Sequence, residues 1–403
     1  MTSTNLQIVP LENDDDIAPF SAILQESLNF PPIEEFDWLT RIGRENVRIA
    51  KLESEVAGGV MLTRLGQSFG GRFLPMTGIH GVAVATQHRG KEVATKLMAS
   101  IIRELREQGC PLSVLYPATQ PVYRGAEYEQ AGVRVQYRTA VAGLASRDRD
   151  LPVRPFTPDD QEAIDAIYRR RALSCPGHVE RTRWSWQRII SRWNRKTSGY
   201  VVEDGSGEGD LEGYVFFAKT EGAFPRYGLE VVDYGATTDR ALGRLMTLLG
   251  DHRSMARELT WCGAPADPLL MRMAEQEHEV VWRMIWMLRI ADVEKALTLR
   301  GYPTMTSAQL ELRVRDDLIP QNNASFVLSV ENGEAGVRRN EAGDHGRENS
   351  ALDGPIQALA PLYSGYLTAT QLKAMGRLSG DDRAIQTADG LFAGPTPWMS
   401  DMF

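Results

Sequence analysis

Apolar positions in the first third of the chain follow two periods in turn. DIAPFSAILQESL (16–28) carries them at helical spacing, and the pair Pro31-Pro32 breaks the pattern. Extended stretches are predicted at 47–51 and 56–64, then a strand at 79–85 and a helix over 91–107. In that helix Val93, Leu97, Ile101 and Leu105 form a buried stripe, with Arg103, Glu104, Arg106 and Glu107 outward. Gly109 sits where a helix stops. PLSVLY (111–116) reads as a buried strand, and Tyr123 is expected on a short loop after it. Helix, antiparallel strands and a strand–helix–strand unit together predict a mixed α/β layer.

SRDRDLPVRPFTPDD (146–160) is polar and proline-containing, the texture of a linker. Beyond it the same order returns. GYVFFAK (213–219) reads as a strand, VVDYGATTDRALGRLMTLLGDH (231–252) joins a strand to a helix, and ELTWCGAPAD (258–267) mimics PLSVLYPATQ. ATQHR (85–89) lies over ATTDR (236–240), and KLM (96–98) falls near RLM (244–246). This register predicts an internal duplication; two unrelated α/β segments are the alternative. From residue 293 the texture changes. LELRVRD (310–316) and SFVLSVE (325–331) alternate as strands, ENGEAGV (331–337) reads as a hairpin turn, and RNEAGDHGRENSALD (339–353) as a polar loop. Two helical patterns, IQALAPLYSG and TATQLKAMGRL, follow. A separate α+β domain is expected there, which divides the chain at 1–148, 149–292 and 293–403.

Composition narrows the class. At 403 residues the chain is too long for one ordinary core, and 42% apolar with 24% charged residues is normal for a globular protein. No apolar run reaches the ~18–20 residues that cross a bilayer, and MTSTNLQIVPLENDDD lacks the layout of a signal peptide. Cys110, Cys175 and Cys262 form no CxxC pair, and the six histidines have no ligand spacing. No metal is expected, and a reducing cytoplasm suits the thiols. A net charge of −8 argues against a nucleic-acid partner. RTRWSWQRIISRWNRK (181–196) could offer phosphate contacts and stacking platforms. Its Trp186, Ile189, Ile190 and Trp193 instead recur at helical spacing, which predicts a packed amphipathic helix with a solvated basic face.

One stretch carries candidate chemistry. GIHGVAVATQHRGKEVATKLM (78–98) sets a strand, a basic turn and an amphipathic helix in line, the layout that holds a phosphate on backbone N–H groups at a helix N-terminus. Val82, Ala83 and Val84 would present a strand edge, and Arg89, Gly90, Lys91, Glu92, Val93 and Ala94 the turn. Here the sequence resembles the GCN-type N-acetyltransferase superfamily (GNAT), whose motif after the strand is R/Q-x-x-G-x-G/A. Arg89 matches its first position and Ala94 its last; Glu92 stands at the central glycine. The resemblance implies acetyl-CoA as cofactor, its pyrophosphate on the turn and its pantetheine along Val82–Val84.

The rest of the chain resembles the Eis-type (enhanced intracellular survival) acetyltransferases. VLYPATQPVYRGAEYEQAG (114–132) is similar to the segment carrying that family's general-acid tyrosine, at the place of Tyr123. LFAGPTPWMSDMF resembles the terminal segment whose carboxylate serves as general base, which puts Phe403 in that role. The resemblance implies tandem GNAT folds followed by a sterol-carrier-like α+β domain, with acetyl-CoA in the first copy only and a homohexameric assembly. Without it, Tyr123 reads as a packing tyrosine and Phe403 as a frayed terminus. The apolar Trp398, Met399, Met402 and Phe403 favour a docked tail.

The expected chemistry is acetyl transfer to a primary amine of a small molecule or peptide, and the acidic balance suits a cationic acceptor. Glu127, like Glu92, replaces a family glycine. A carboxylate about 5 Å from a phosphate costs roughly 1–3 kcal/mol, a factor of about 5–150 in affinity. Glu92 is therefore expected to limit acetyl-CoA binding. The competing reading is a catalytically weakened relative that serves as a ligand-binding or scaffold protein. Lipid carriage by the last domain rests on fold analogy alone.

Overall fold

The structure, a computed structural model, describes residues 5–31, 37–144, 146–191, 196–207, 209–340 and 351–403. Pro32, Trp193 and residues 341–350 of the polar loop lie outside them. The architecture is mixed α/β. Among the described residues a 13-stranded sheet runs through both copies of the duplicated unit, and a 5-stranded sheet forms the last part of the chain.

The first copy builds as its periodicity predicts. The helix Ile17–Leu28 is followed by strands Val47–Leu52, Glu55–Phe69 and Arg72–Val84, the last beginning earlier than predicted. The helix Val93–Glu107 buries Val93, Leu97, Ile101 and Leu105, together with Met98 and Ile102. Each is worth roughly 1.5–3 kcal/mol when fully removed from water. Gly109 takes a left-handed φ of 70° just past the helix, which permits the turn into Leu112–Leu115.

The second copy repeats this order with strands Leu211–Thr220 and Tyr227–Ala236, helix Asp239–Gly250 and strand Ala256–Gly263. The stretch read as a linker contains a strand, Val153–Pro155, paired with Thr197–Glu203. Proline suits it there because an edge strand needs fewer N–H donors.

The copies are interleaved. The strand His278–Ile290, last of the second copy, lies between Leu112–Leu115 and Glu129–Ala140 of the first. Glu129–Ala140 in turn pairs with Ala256–Gly263. Each copy's sheet is thereby completed by a strand of the other.

In the last part, Ala308–Arg315 and Ala324–Glu331 pair antiparallel, and the hairpin to Glu334–Asn340 turns on Asn332 and Gly333, both at positive φ. The helices Ile356–Ser364, Ala369–Ala374 and Asp382–Leu391 cover it. Its core is continuous with that of the first copy, because Leu74, Leu112 and Val114 share a cluster with Phe326, Leu359 and Leu391.

Candidate active site

Parallel pairing of Arg72–Val84 with Leu112–Leu115 runs from Met76 to Ile79 and then ends. Among the described residues, Val82–Val84 have a partner strand only on the Glu55–Phe69 side. Their other side is the open edge that an extended ligand chain can follow. Ala83 is buried, and Val82 and Val84 are half-buried.

The turn beyond is exposed at Arg89, Gly90, Lys91 and Glu92. Gly90 and Glu92 both take left-handed φ, 75° and 61°. The helix begins at Val93, buried, with Ala94 half-buried, and Glu92 gives no side-chain cap. Its first backbone N–H groups therefore stay available to an anion. Space above Gly90 is clear, since a Cβ built there meets nothing within 4 Å. Arg89 donates to Ser27 Oγ at 3.1 Å, and Glu92 pairs with Lys96 at 3.3 Å with its side chain 74% exposed. The feared carboxylate is turned into solvent beside a cation.

Tyr123 sits on a short helix, Gln120–Arg124, rather than on the expected loop. Pro121 at the start of that turn presets its helical φ. The ring is 7% exposed and shares a cluster with Val93, Leu97, Val82 and Val84. Burial pushes its phenol up, so it holds its proton. Glu127, four residues on, faces away toward the last domain. Its carboxylate takes Arg289 Nη2 at 3.1 Å and the backbone N–H of Asp317 at 3.1 Å. Burial and a hydrogen bond with Asp316 raise it to about 7. The glutamate is an interdomain tie, which explains why φ of 62° is tolerated in a non-glycine residue.

The last residues are docked. Trp398 and Met399 are buried, and the backbone of Val133 clasps them through Val133 N–H to Pro397 O at 3.0 Å and Met399 N–H to Val133 O at 3.1 Å. The next three carbonyls each accept a side chain: Ser400 from Arg134 at 3.0 Å, Asp401 from Tyr116 at 3.1 Å, and Met402 from Arg188 at 2.6 Å. The Phe403 ring lies on Gly78, where a Cβ would collide with it, and 6.1 Å from the Tyr116 ring. Phe403 thus reaches the strand that carries Val82–Val84. Nearby His80 bonds Thr63 Oγ1 at 2.8 Å, and burial followed by Arg188 lowers it to about 4, so it is neutral. Sequence reasoning missed Tyr116, Arg134, Arg181 and Arg188 as tail holders. The basic stretch forms the helix Arg183–Ile190 with Trp186 and Ile189 buried and Arg183 and Arg188 exposed, as its spacing predicts; Arg181, just ahead of it, is buried, and Arg188 also bonds the tail.

The second copy's turn is occupied by its own side chains. Thr238 Oγ1 accepts the N–H of Ala241 at 3.2 Å, capping the helix. Arg240 is bound by Glu212, and a Cβ at Gly243 would strike the Asp148 carboxylate. One first-turn donor and the cation that an anion would use are already taken. GAPADPLL (263–270) offers no tyrosine.

Residues 10–131 match an acetyltransferase (GNAT) domain, residues 177–290 a second acetyltransferase (GNAT) domain, and residues 293–400 a sterol carrier protein domain. A GCN5-related N-acetyltransferase from Anabaena variabilis has the same fold over 99% of this chain and all of its own, with TM-score 0.90 and 31% identity. An uncharacterized N-acetyltransferase of Streptomyces griseus is 27% identical over 359 residues, 83% of each chain. The N-acetyltransferase Eis of Mycobacterium tuberculosis is 25% identical over 361 residues, 85% of each. The chain belongs to the GCN5-related N-acetyltransferases, in the Eis-like arrangement of two acetyltransferase copies followed by a sterol carrier domain.

Proposed function

We propose that the first copy (1–148) moves an acetyl group from acetyl-CoA to a primary amine, with Tyr123 as general acid and the Phe403 carboxylate as general base. The observation that carries this reading is the seat of Phe403 on Gly78, on the strand that runs on through Val82–Val84 into the uncapped helix. Arg89, Gly90, Lys91 and the N–H groups from Glu92 to Ala94 would hold the pyrophosphate, and the open edge of Val82–Val84 the pantetheine. Acetyl-CoA supplies an acetyl group activated as a thioester.

An amine attacks only when neutral, so the Phe403 carboxylate accepts a proton from the ammonium. Nitrogen then bonds to the acetyl carbon, the carbon–sulfur bond breaks, the Tyr123 phenol protonates the departing thiolate, and the second proton shed by the acylated nitrogen restores the phenol. The phenol is protonated and so has the proton to give. The second copy (149–292) takes no cofactor, and the last domain (293–403) carries the tail to the site. A cytoplasmic homo-oligomer, a hexamer by resemblance, completes the reading.

The weakened-scaffold alternative took its motive from Glu92 and Glu127, and both carboxylates are engaged elsewhere. A thiol-release assay with acetyl-CoA against polyamines, aminoglycosides and lysine peptides tests the choice. Release with at least one amine class is expected. Binding of acetyl-CoA without release for any acceptor would favour the scaffold.

A further inference from the structure

A buried polar network in the second copy ends on the tail. Arg181 has a side chain only 1% exposed and joins two carboxylates. Its Nη1 meets Asp233 Oδ2 at 2.5 Å, while Nε and Nη2 reach the two oxygens of Asp401 at 3.1 and 3.2 Å. Nη2 also lies 3.4 Å from Ser400 Oγ, which itself donates to Asp401 at 2.9 Å. The guanidinium stacks 3.8 Å above the Tyr168 ring. Asp233 is fixed in turn by Arg171 at 2.9 Å and the Tyr214 hydroxyl at 2.7 Å. A charge so deeply placed is tolerated only when paired and fully hydrogen-bonded, so the fork has one geometry.

The register that sets ATQHR over ATTDR places Asp233 where the first copy has Val82. The first copy has an apolar side chain at this position, and the second a buried carboxylate that grips an arginine. We infer that Arg181 is a positioning residue for acetyl transfer: with Asp233 it forms a clamp in the second copy that, through Asp401, fixes the carboxylate two residues further on. This rests on the reading of Phe403 as the base.

The test uses the full chain as Asp401→Asn, Asp401→Glu and a Phe403 deletion, beside wild type. Asp401→Asn leaves the buried Arg181–Asp233 pair in place, so folding is not at stake. Its kcat should fall about tenfold to a hundredfold, the range that small misplacements of a reacting group cause, with KM for acetyl-CoA unchanged and a lower Tm, because Arg171 and Arg181 then share the one carboxylate of Asp233. Asp401→Glu, which restores the charge, should recover most of the loss. Carboxypeptidase, followed by mass spectrometry, should release Phe403 several-fold faster from Asp401→Asn than from wild type. An Asp401→Asn protein turning over like wild type while the deletion is inactive would overturn the clamp. Full activity in the deletion would instead remove the base assignment beneath it.

Discussion

At the scale of single residues, the two glutamates that depart from the family glycines do different things. Glu92 keeps the left-handed backbone a glycine would adopt and turns its carboxylate out to Lys96. Glu92→Gly should therefore raise stability by roughly 1 kcal/mol, the strain of a non-glycine residue in that region. Acetyl-CoA affinity measured by calorimetry should change less than about threefold, well below the penalty of a carboxylate close to the phosphate. Tyr123 is the opposite case, a residue whose chemistry is expected to matter more than its packing. Tyr123→Phe keeps the ring in its cluster and removes the proton donor, so kcat should fall by about 10²–10⁴ with little change in Tm. The family resemblance pointed to both positions; spacing alone would not have given Tyr123. Where the side chain at 92 goes was not legible, because a left-handed turn and a partner one helical turn away decide it.

At the scale of elements, periodic segments were readable and pairings distant in sequence were not. The stripe from Val93 to Leu105 declares a helix with one buried face, and the repeated strand–helix order declares the duplication. Nothing local shows that His278–Ile290 slots into the first copy's sheet, since its partners lie far back in the chain. The junction of Glu127 with Arg289 and Asp316 is hidden for the same reason, the first pair being 162 residues apart. That junction has a pH signature. Glu127 is raised from about 4.5 to about 7 in the folded protein, so the native state holds this proton more tightly than the unfolded chain does. The stability it contributes is present below about 4.5 and is lost as pH rises through about 7. Tm measured across this window should fall with pH in wild type, and Glu127→Gln should flatten that component of the slope.

At the scale of the whole molecule, three parts converge on one short tail. The first copy supplies Val133, Arg134 and Tyr116, the second Arg181 and Arg188, and the last domain the tail itself. The same duplication produced two turns with different fates, open at Gly90 and self-filled at Gly243. Acetyl-CoA should accordingly bind with a stoichiometry of one per chain in calorimetry. Arg89→Ala should weaken that binding, while Arg240→Ala should leave it unchanged. The tail's apolar end was legible as a docking segment, but its seat on Gly78 was not, because only the folded sheet brings residues 78 and 403 together.

The most direct measurement is single-turnover acetyl transfer by a protein with one glycine appended after Phe403, which converts the carboxylate into a neutral amide and leaves the ring in place. Acetyl-CoA binding and Tm are expected within error of wild type, and transfer slowed by about 10² or more. Transfer at the wild-type rate by that extended protein would contradict the role of Phe403 as the base.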